Sequence, residues 1–237
     1  MAPNEVYQFS IISALMSGLA SASSSMPVST LLTHGNFGLG TFEQMDGEMI
    51  VLDSEAYQFH ADGSTHLASG AQLVPFAMVA DFQPALARPI AVASKGSLLA
   101  ELEQAFPSAR NAFVLFRLVG RFGRVKVRAI HKQAYEGQPL AELAEGQAVR
   151  EFVRVEGTVV GIRSPGWSEG VSVVGVHAHF IDVGRRFGGH ILELEGDGEV
   201  GFEGVVAERF HVEVPGSTEF GERELDLDRA AIQKAEG

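Results

Sequence analysis

Three histidines stand close together late in the chain. His177 and His179 lie in Gly175-Val-His-Ala-His-Phe-Ile-Asp182, and His190 follows Phe187-Gly-Gly. Successive strand residues point to opposite faces, so a His-x-His pair in an apolar strand sends both imidazoles to one side. Ten residues separate His179 from His190, enough for a turn through Asp182-Val-Gly-Arg-Arg186 and a return strand bringing His190 opposite the pair. Three neutral imidazoles can hold a divalent ion and leave positions open for substrate or water, as catalytic sites do. The plainer alternative is three unrelated polar positions on a half-exposed strand. His34, His60, His66, His131 and His211 have no such spacing and read as surface or partly buried residues.

Composition narrows the chemistry. The chain has no cysteine, which excludes disulfides, thiolate nucleophiles and zinc–thiolate sites. A metal must then be held by His, Asp, Glu or carbonyl groups, and imidazole suits zinc, copper, iron and nickel. The net charge of −12 argues against a nucleic-acid partner, because phosphate contacts need clustered Lys and Arg. The most basic segment, Arg117 to Lys132, alternates with apolar residues and reads as strands with one charged face. No apolar run is long enough to span a membrane.

Two motifs are decoys. Gly166-Trp-Ser168-Glu-Gly170 matches the nucleophile-elbow pattern, which needs a strand before it and a helix after it. Here Ser164-Pro165 marks a turn and Val171-Ser-Val-Val-Gly-Val176 reads as a strand, so a β-turn is the better reading. Gly38-Leu-Gly40 lacks the spacing and context of a dinucleotide fingerprint.

The elements that would position the histidines are mostly strands. Alternating or apolar runs predict strands near 48–52, 56–60, 72–79, 112–118, 124–131, 152–162, 171–181, 189–195 and 200–214. Val6, Phe9, Ile12, Leu15, Met16 and Leu19 follow helical spacing. The preceding residues carry no Lys or Arg, so this segment reads as an amphipathic helix of the mature protein rather than a secretion signal. A second helix is expected over 97–106, with Ser97 as N-cap and Pro107 as stop. Gly35 to Phe42 reads as a Gly-rich loop, and 222–236 has helical tendency. Gln133 to Glu151 is the most linker-like stretch. The expectation from these patterns is a strand-dominated α+β chain with a soft domain boundary in that stretch, dividing 1–140 from 141–237.

The stretch from Gly175 to His190 closely resembles the metal-binding segment of α-acetolactate decarboxylases. Other segments resemble the same family in the same order: Val6-Tyr-Gln-Phe-Ser10, Gly35-Asn-Phe-Gly-Leu-Gly-Thr41-Phe, Met45-Asp-Gly-Glu48, Phe106-Pro-Ser-Ala-Arg-Asn-Ala-Phe113, Val125-Lys-Val-Arg128, Glu156-Gly-Thr-Val-Val-Gly-Ile162 and the terminal Glu236-Gly. Val127 departs from the threonine usual there in the family. The resemblance implies zinc held by His177, His179 and His190, with Glu48, Arg128, Thr41 and Glu236 at or beside the metal. It implies decarboxylation of (S)-2-acetolactate to (R)-acetoin, two β-rich subdomains with mixed sheets, few helices and the metal site in a cleft between them, and a homodimer that is cytoplasmic or occasionally secreted. The rival readings are a cupin-like metal oxygenase, a serine esterase acting through Ser168, and a non-catalytic module that binds metal and ligand.

Overall fold

The computed structural model describes residues 2–225. The chain begins β1 (Val6–Phe9), α1 (Ile12–Met16), β2 (Met26–Pro27), α2 (Val28–Leu31), β3 (Phe37–Thr41), β4 (Glu48–Leu52), β5 (Glu55–Phe59) and β6 (Thr65–Leu67). Next come β7 (Leu73–Val74), β8 (Phe76–Ala80), β9 (Leu86–Ala91), α3 (Lys95–Ala105), β10 (Phe113–Ala129) and α4 (Leu140–Glu145). The rest is β11 (Ala148–Ser164), β12 (Gly175–Asp182), β13 (Gly188–Gly196), β14 (Glu199–Ala207), β15 (Phe210–Glu213) and α5 (Thr218–Glu222). The fold is thus mostly β, with mixed sheets and few, short helices, as the sequence leads one to expect.

One sheet has the order β15-β1-β8-β3-β4-β5-β6, with β15 parallel to β1 and the remaining neighbours antiparallel. The other has the order β11-β12-β13-β10-β14-β9, and β10 also pairs with β11 from Val114 to Ala129. Strands β10, β11, β12 and β13 therefore close on one another in a ring of pairings. The sheets meet through Leu39, Ile50 and Met78 from the first and Leu115, Val160, Ile162 and Ile181 from the second. The far face of the second sheet packs under Leu98 and Leu102 of α3. Sheet membership does not follow chain order, since β9 and β10 join the strands after residue 140 and β15 returns to the first sheet.

Several local expectations need correction. The N-terminal amphipathic helix is a strand, β1, followed by the five-residue, wholly buried α1. Ser10 takes a positive φ of 65° and breaks the segment there, and pairing with β8 and β15 claims Val6–Phe9 for the first sheet. The Gly-rich loop is a strand: β3 lies between β4 and β8, where a Cβ on Gly38 would fall 2.1 Å from the Met78 carbonyl oxygen. Ser94, not Ser97, caps α3, and Ser97 completes a reciprocal capping box from three residues on. The two strands expected at 112–118 and 124–131 are one, because β10 stays paired to β11 throughout.

That long strand is not regular. Phe122 pairs with Gly196 and Arg124 with Glu195, leaving Gly123 as an extra residue. Lys126 then pairs with Glu193 and Val127 with Ile191, leaving Leu192 extra on β13. An extra residue reverses which face every following side chain takes. Phe116 and Leu118 before the first bulge, and Val125 and Val127 after it, consequently all pack on the α3 side. On β13, Leu194 and Ile191 both pack there despite their odd separation. The consequence falls on Arg128 and His190, which pair directly and face the first sheet. Gly189 permits the close approach: its φ is +144°, and a Cβ would sit 2.5 Å from the Arg128 carbonyl oxygen.

Candidate metal centre

His179 pairs with His190 across β12 and β13, and His177 lies two residues along β12 on the same face. The three are 4%, 0% and 0% exposed for His177, His179 and His190, so they are not scattered surface positions. Each offers a ring nitrogen, and these atoms lie within 4.8 Å of one another. The ring centroids are 5.0–5.2 Å apart and the planes strongly inclined, as for rings converging on a point rather than stacking.

The first sheet orients one of them. The His179 Nδ1–H donates to the Met49 carbonyl oxygen at 2.8 Å, which leaves the lone pair on Nε2 facing the cluster. Nε2 is buried and makes no hydrogen bond, and Glu48 Oε2 lies 3.6 Å from it. A bare nitrogen lone pair facing a carboxylate oxygen is a repulsive arrangement that a cation between or beside them relieves. The residues therefore fit a divalent ion.

Glu48 and Arg128 arrive from opposite sheets. The Arg128 Nη1–H donates to Glu48 Oε1 at 2.5 Å, with the side chains only 1% and 5% exposed. Thr41 is the register partner of Glu48, and its hydroxyl donates to the Gly47 carbonyl at 2.7 Å. Its oxygen lone pairs are left to accept from a ligand. Thr41, Glu48, Arg128 and His177 line a cavity together with the apolar Ile12, Leu15, Met45, Phe76, Ile130 and Leu140. Of the residues singled out from sequence, six come together here; Glu236 lies outside the described residues. Val127 points away into the α3-side core, so its departure from the family pattern leaves the cavity unchanged.

The apolar lining of the cavity has little signature in the sequence. Only Ile130 carried a signal, since it follows Arg128 by two and shares its strand face. The Met49 carbonyl could not be read at all, because backbone acceptors have no sequence signature. Ser168, by contrast, is where the turn reading put it. It is 0% exposed in a short 3-10 turn, and its hydroxyl donates to the Pro165 carbonyl at 2.7 Å. No elbow forms.

Electrostatics keep the imidazoles neutral. Burial pushes His177 down to about 3, with the Arg128 guanidinium the next cause. Burial likewise holds His179 and His190 well below the ordinary 6.5, helped by neighbouring histidines and Arg128. Neutral imidazole is the form that binds metal. Unfolding releases these groups to titrate near 6.5, so below that pH the unfolded chain binds more protons than the folded one. Stability of the metal-free protein should then be full above pH 6.5 and fall progressively as pH drops below it. Denaturant titrations of metal-stripped protein between pH 7 and 5 check this, and a flat profile contradicts it.

A family model described as alpha-acetolactate decarboxylase matches residues 6–227. The chain belongs to this family. The alpha-acetolactate decarboxylase of Methanosarcina mazei is 38% identical over 230 residues, covering 94% of this chain and 77% of its own. That of Raoultella terrigena is 35% identical over 237 residues, covering 98% and 89%. The crystal structure of alpha-acetolactate decarboxylase from Bacillus subtilis strain 168 superposes with a TM-score of 0.92 at 29% identity, covering 98% of this chain and 99% of that one. Family membership thus agrees with the resemblance carried by the histidine segment. Among the described residues no helix is long and apolar enough to cross a membrane.

Proposed function

We propose that the chain is a carboxy-lyase that converts (S)-2-acetolactate to (R)-acetoin and carbon dioxide with a zinc ion held by His177, His179 and His190. The observation that carries this reading is the buried cluster of three neutral imidazoles beside the Glu48–Arg128 pair, with His177, Glu48 and Arg128 lining a cavity whose other residues are largely apolar. Decarboxylation breaks the bond to the carboxylate carbon and leaves its electron pair on the carbon that becomes the carbinol of acetoin. The neighbouring ketone accepts that pair as an enediolate, and one proton then completes acetoin. A divalent ion at this site supplies Lewis-acid stabilisation of the developing oxygen charge.

The protein's own groups do the rest. Arg128 offers a planar, permanently charged donor to the substrate carboxylate and to the enediolate. Thr41, its own proton committed to Gly47, accepts a hydrogen bond from the substrate hydroxyl. Glu48, steadied by Arg128, handles the proton, with Glu236 as a ligand or helper. The apolar lining excludes water while the carbanion-like charge is present.

Zinc content measured together with acetoin formation from racemic acetolactate tests the reading. About one zinc per chain is expected, with acetoin formed from one enantiomer, lost on chelation and restored by zinc. Iron in place of zinc with dioxygen consumption would favour the oxygenase, and zinc binding without carbon dioxide release the binding module. Family membership also supports a cytoplasmic homodimer, which sedimentation and cell fractionation would check.

A further inference from the structure

The turn that joins Thr41 to Glu48 separates two cavities. Glu43 and Gln44 line an outer, polar one with Gln133 and Tyr135. The next residue, Met45, lines the inner one and is 1% exposed. Both Gln44 and Met45 adopt left-handed backbone, with φ of 59° and 54°, a conformation uncommon for residues with a Cβ. The turn is pinned on both sides. The Gln44 N–H donates to the Ala20 carbonyl at 2.7 Å, and the Gln44 carbonyl accepts from the Gln133 N–H at 2.8 Å. This backbone keeps consecutive side chains on opposite sides of one thin wall, Gln44 outward and Met45 inward.

Met45 is the adjustable part of the apolar wall. Ile12, Leu15 and Leu140 are carried by helices and Phe76 by a sheet strand, and Ile130 directly follows β10. Met45 alone is carried by a turn, and its unbranched thioether adapts to small changes in shape. A 2-acyl-2-hydroxy acid has its carboxylate, hydroxyl and ketone to place against Thr41, Glu48, Arg128 and the histidines. Its alkyl substituents then face the apolar wall.

We propose that Met45 sets the size of the alkyl substituent that the site accepts. The inference rests on the decarboxylase reading and adds a specificity-determining residue to it. The test is a competition between acetolactate and its homologue bearing ethyl in place of methyl at C2, read as the ratio of the two kcat/KM values. That ratio is independent of how much of a preparation is folded, so a partly unfolded variant still reports. Alanine, phenylalanine and methionine all carry a Cβ, so the left-handed backbone affects them alike. One methylene in an apolar pocket is worth about 10-fold or more in discrimination. Met45→Ala is expected to raise the homologue-to-acetolactate ratio about 10-fold, and Met45→Phe to lower it about 10-fold. Ratios within about twofold of wild type in both variants would overturn the role of Met45. A wild-type protein inert toward both substrates would instead overturn the decarboxylase reading, and this inference with it.

Discussion

His179→Ala is expected to lose both the metal and the reaction, with zinc falling to a small fraction of one per chain and acetoin formation to background. The expectation is large because the ring of His179 is fixed by a hydrogen bond to the opposite sheet. Its Nδ1–H is committed to the Met49 carbonyl at 2.8 Å, which fixes both tautomer and ring orientation from the opposite sheet. A methyl group at that position provides no ligand, and two remaining imidazoles hold zinc far more weakly. Removing the ring deletes a neutral group and its hydrogen bond to Met49 from the interior, so the variant should melt at a lower temperature while leaving no charge buried. Metal analysis, acetoin assay and a thermal melt on one preparation separate these effects. Full metal content with normal turnover in His179→Ala would sink the assignment.

Arg128→Met should cost stability as well as activity, and a second substitution should recover the stability alone. Arg128 and Glu48 form an ion pair whose side chains are 1% and 5% exposed. Taking away the guanidinium removes the charge partner of a buried carboxylate, a loss of about 3–5 kcal/mol. For a chain of this size that lowers the melting temperature by roughly 6–20 °C. In the double variant Arg128→Met with Glu48→Gln no charge of the pair remains, and a large part of the loss should return. On the proposed mechanism activity should not return, because the double variant lacks both the donor proposed to bind the carboxylate and the carboxylate proposed to handle the proton. A double variant as unstable as the single one would mean that Arg128 matters for its packing rather than its charge. A double variant with restored turnover would remove both residues from the mechanism.

Much of the site was legible in the sequence because its chemistry is concentrated in side chains. The spacing of His177 and His179 fixed a common strand face before any fold was known, since strand geometry alternates faces whatever the context. The absence of cysteine restricted the ligands to imidazole, carboxylate and carbonyl oxygen. Resemblance to one family named Thr41, Glu48 and Arg128; the fold sets these with His177 around one cavity, and His177 clusters with His179 and His190.

What the tertiary structure alone decided is orientation. Arg128 faces opposite to Leu118, and His190 opposite to Leu194, because the extra residues Gly123 and Leu192 each invert the alternation across them. Counting along a regular strand from Leu118 or from Leu194 places both on the wrong face. A bulge is selected by pairing across three strands, so no local pattern announces it. The same holds for the N-terminal segment, where helical spacing from Val6 to Leu19 yielded to strand pairing with β8 and β15. It holds also for Met45, an ordinary apolar residue until a pinned left-handed turn aims it into the cavity. The sequence by itself determined which atoms could bind a metal and a keto acid. Long-range pairing determined which way those atoms point, because register is a property of neighbouring strands and not of any one of them.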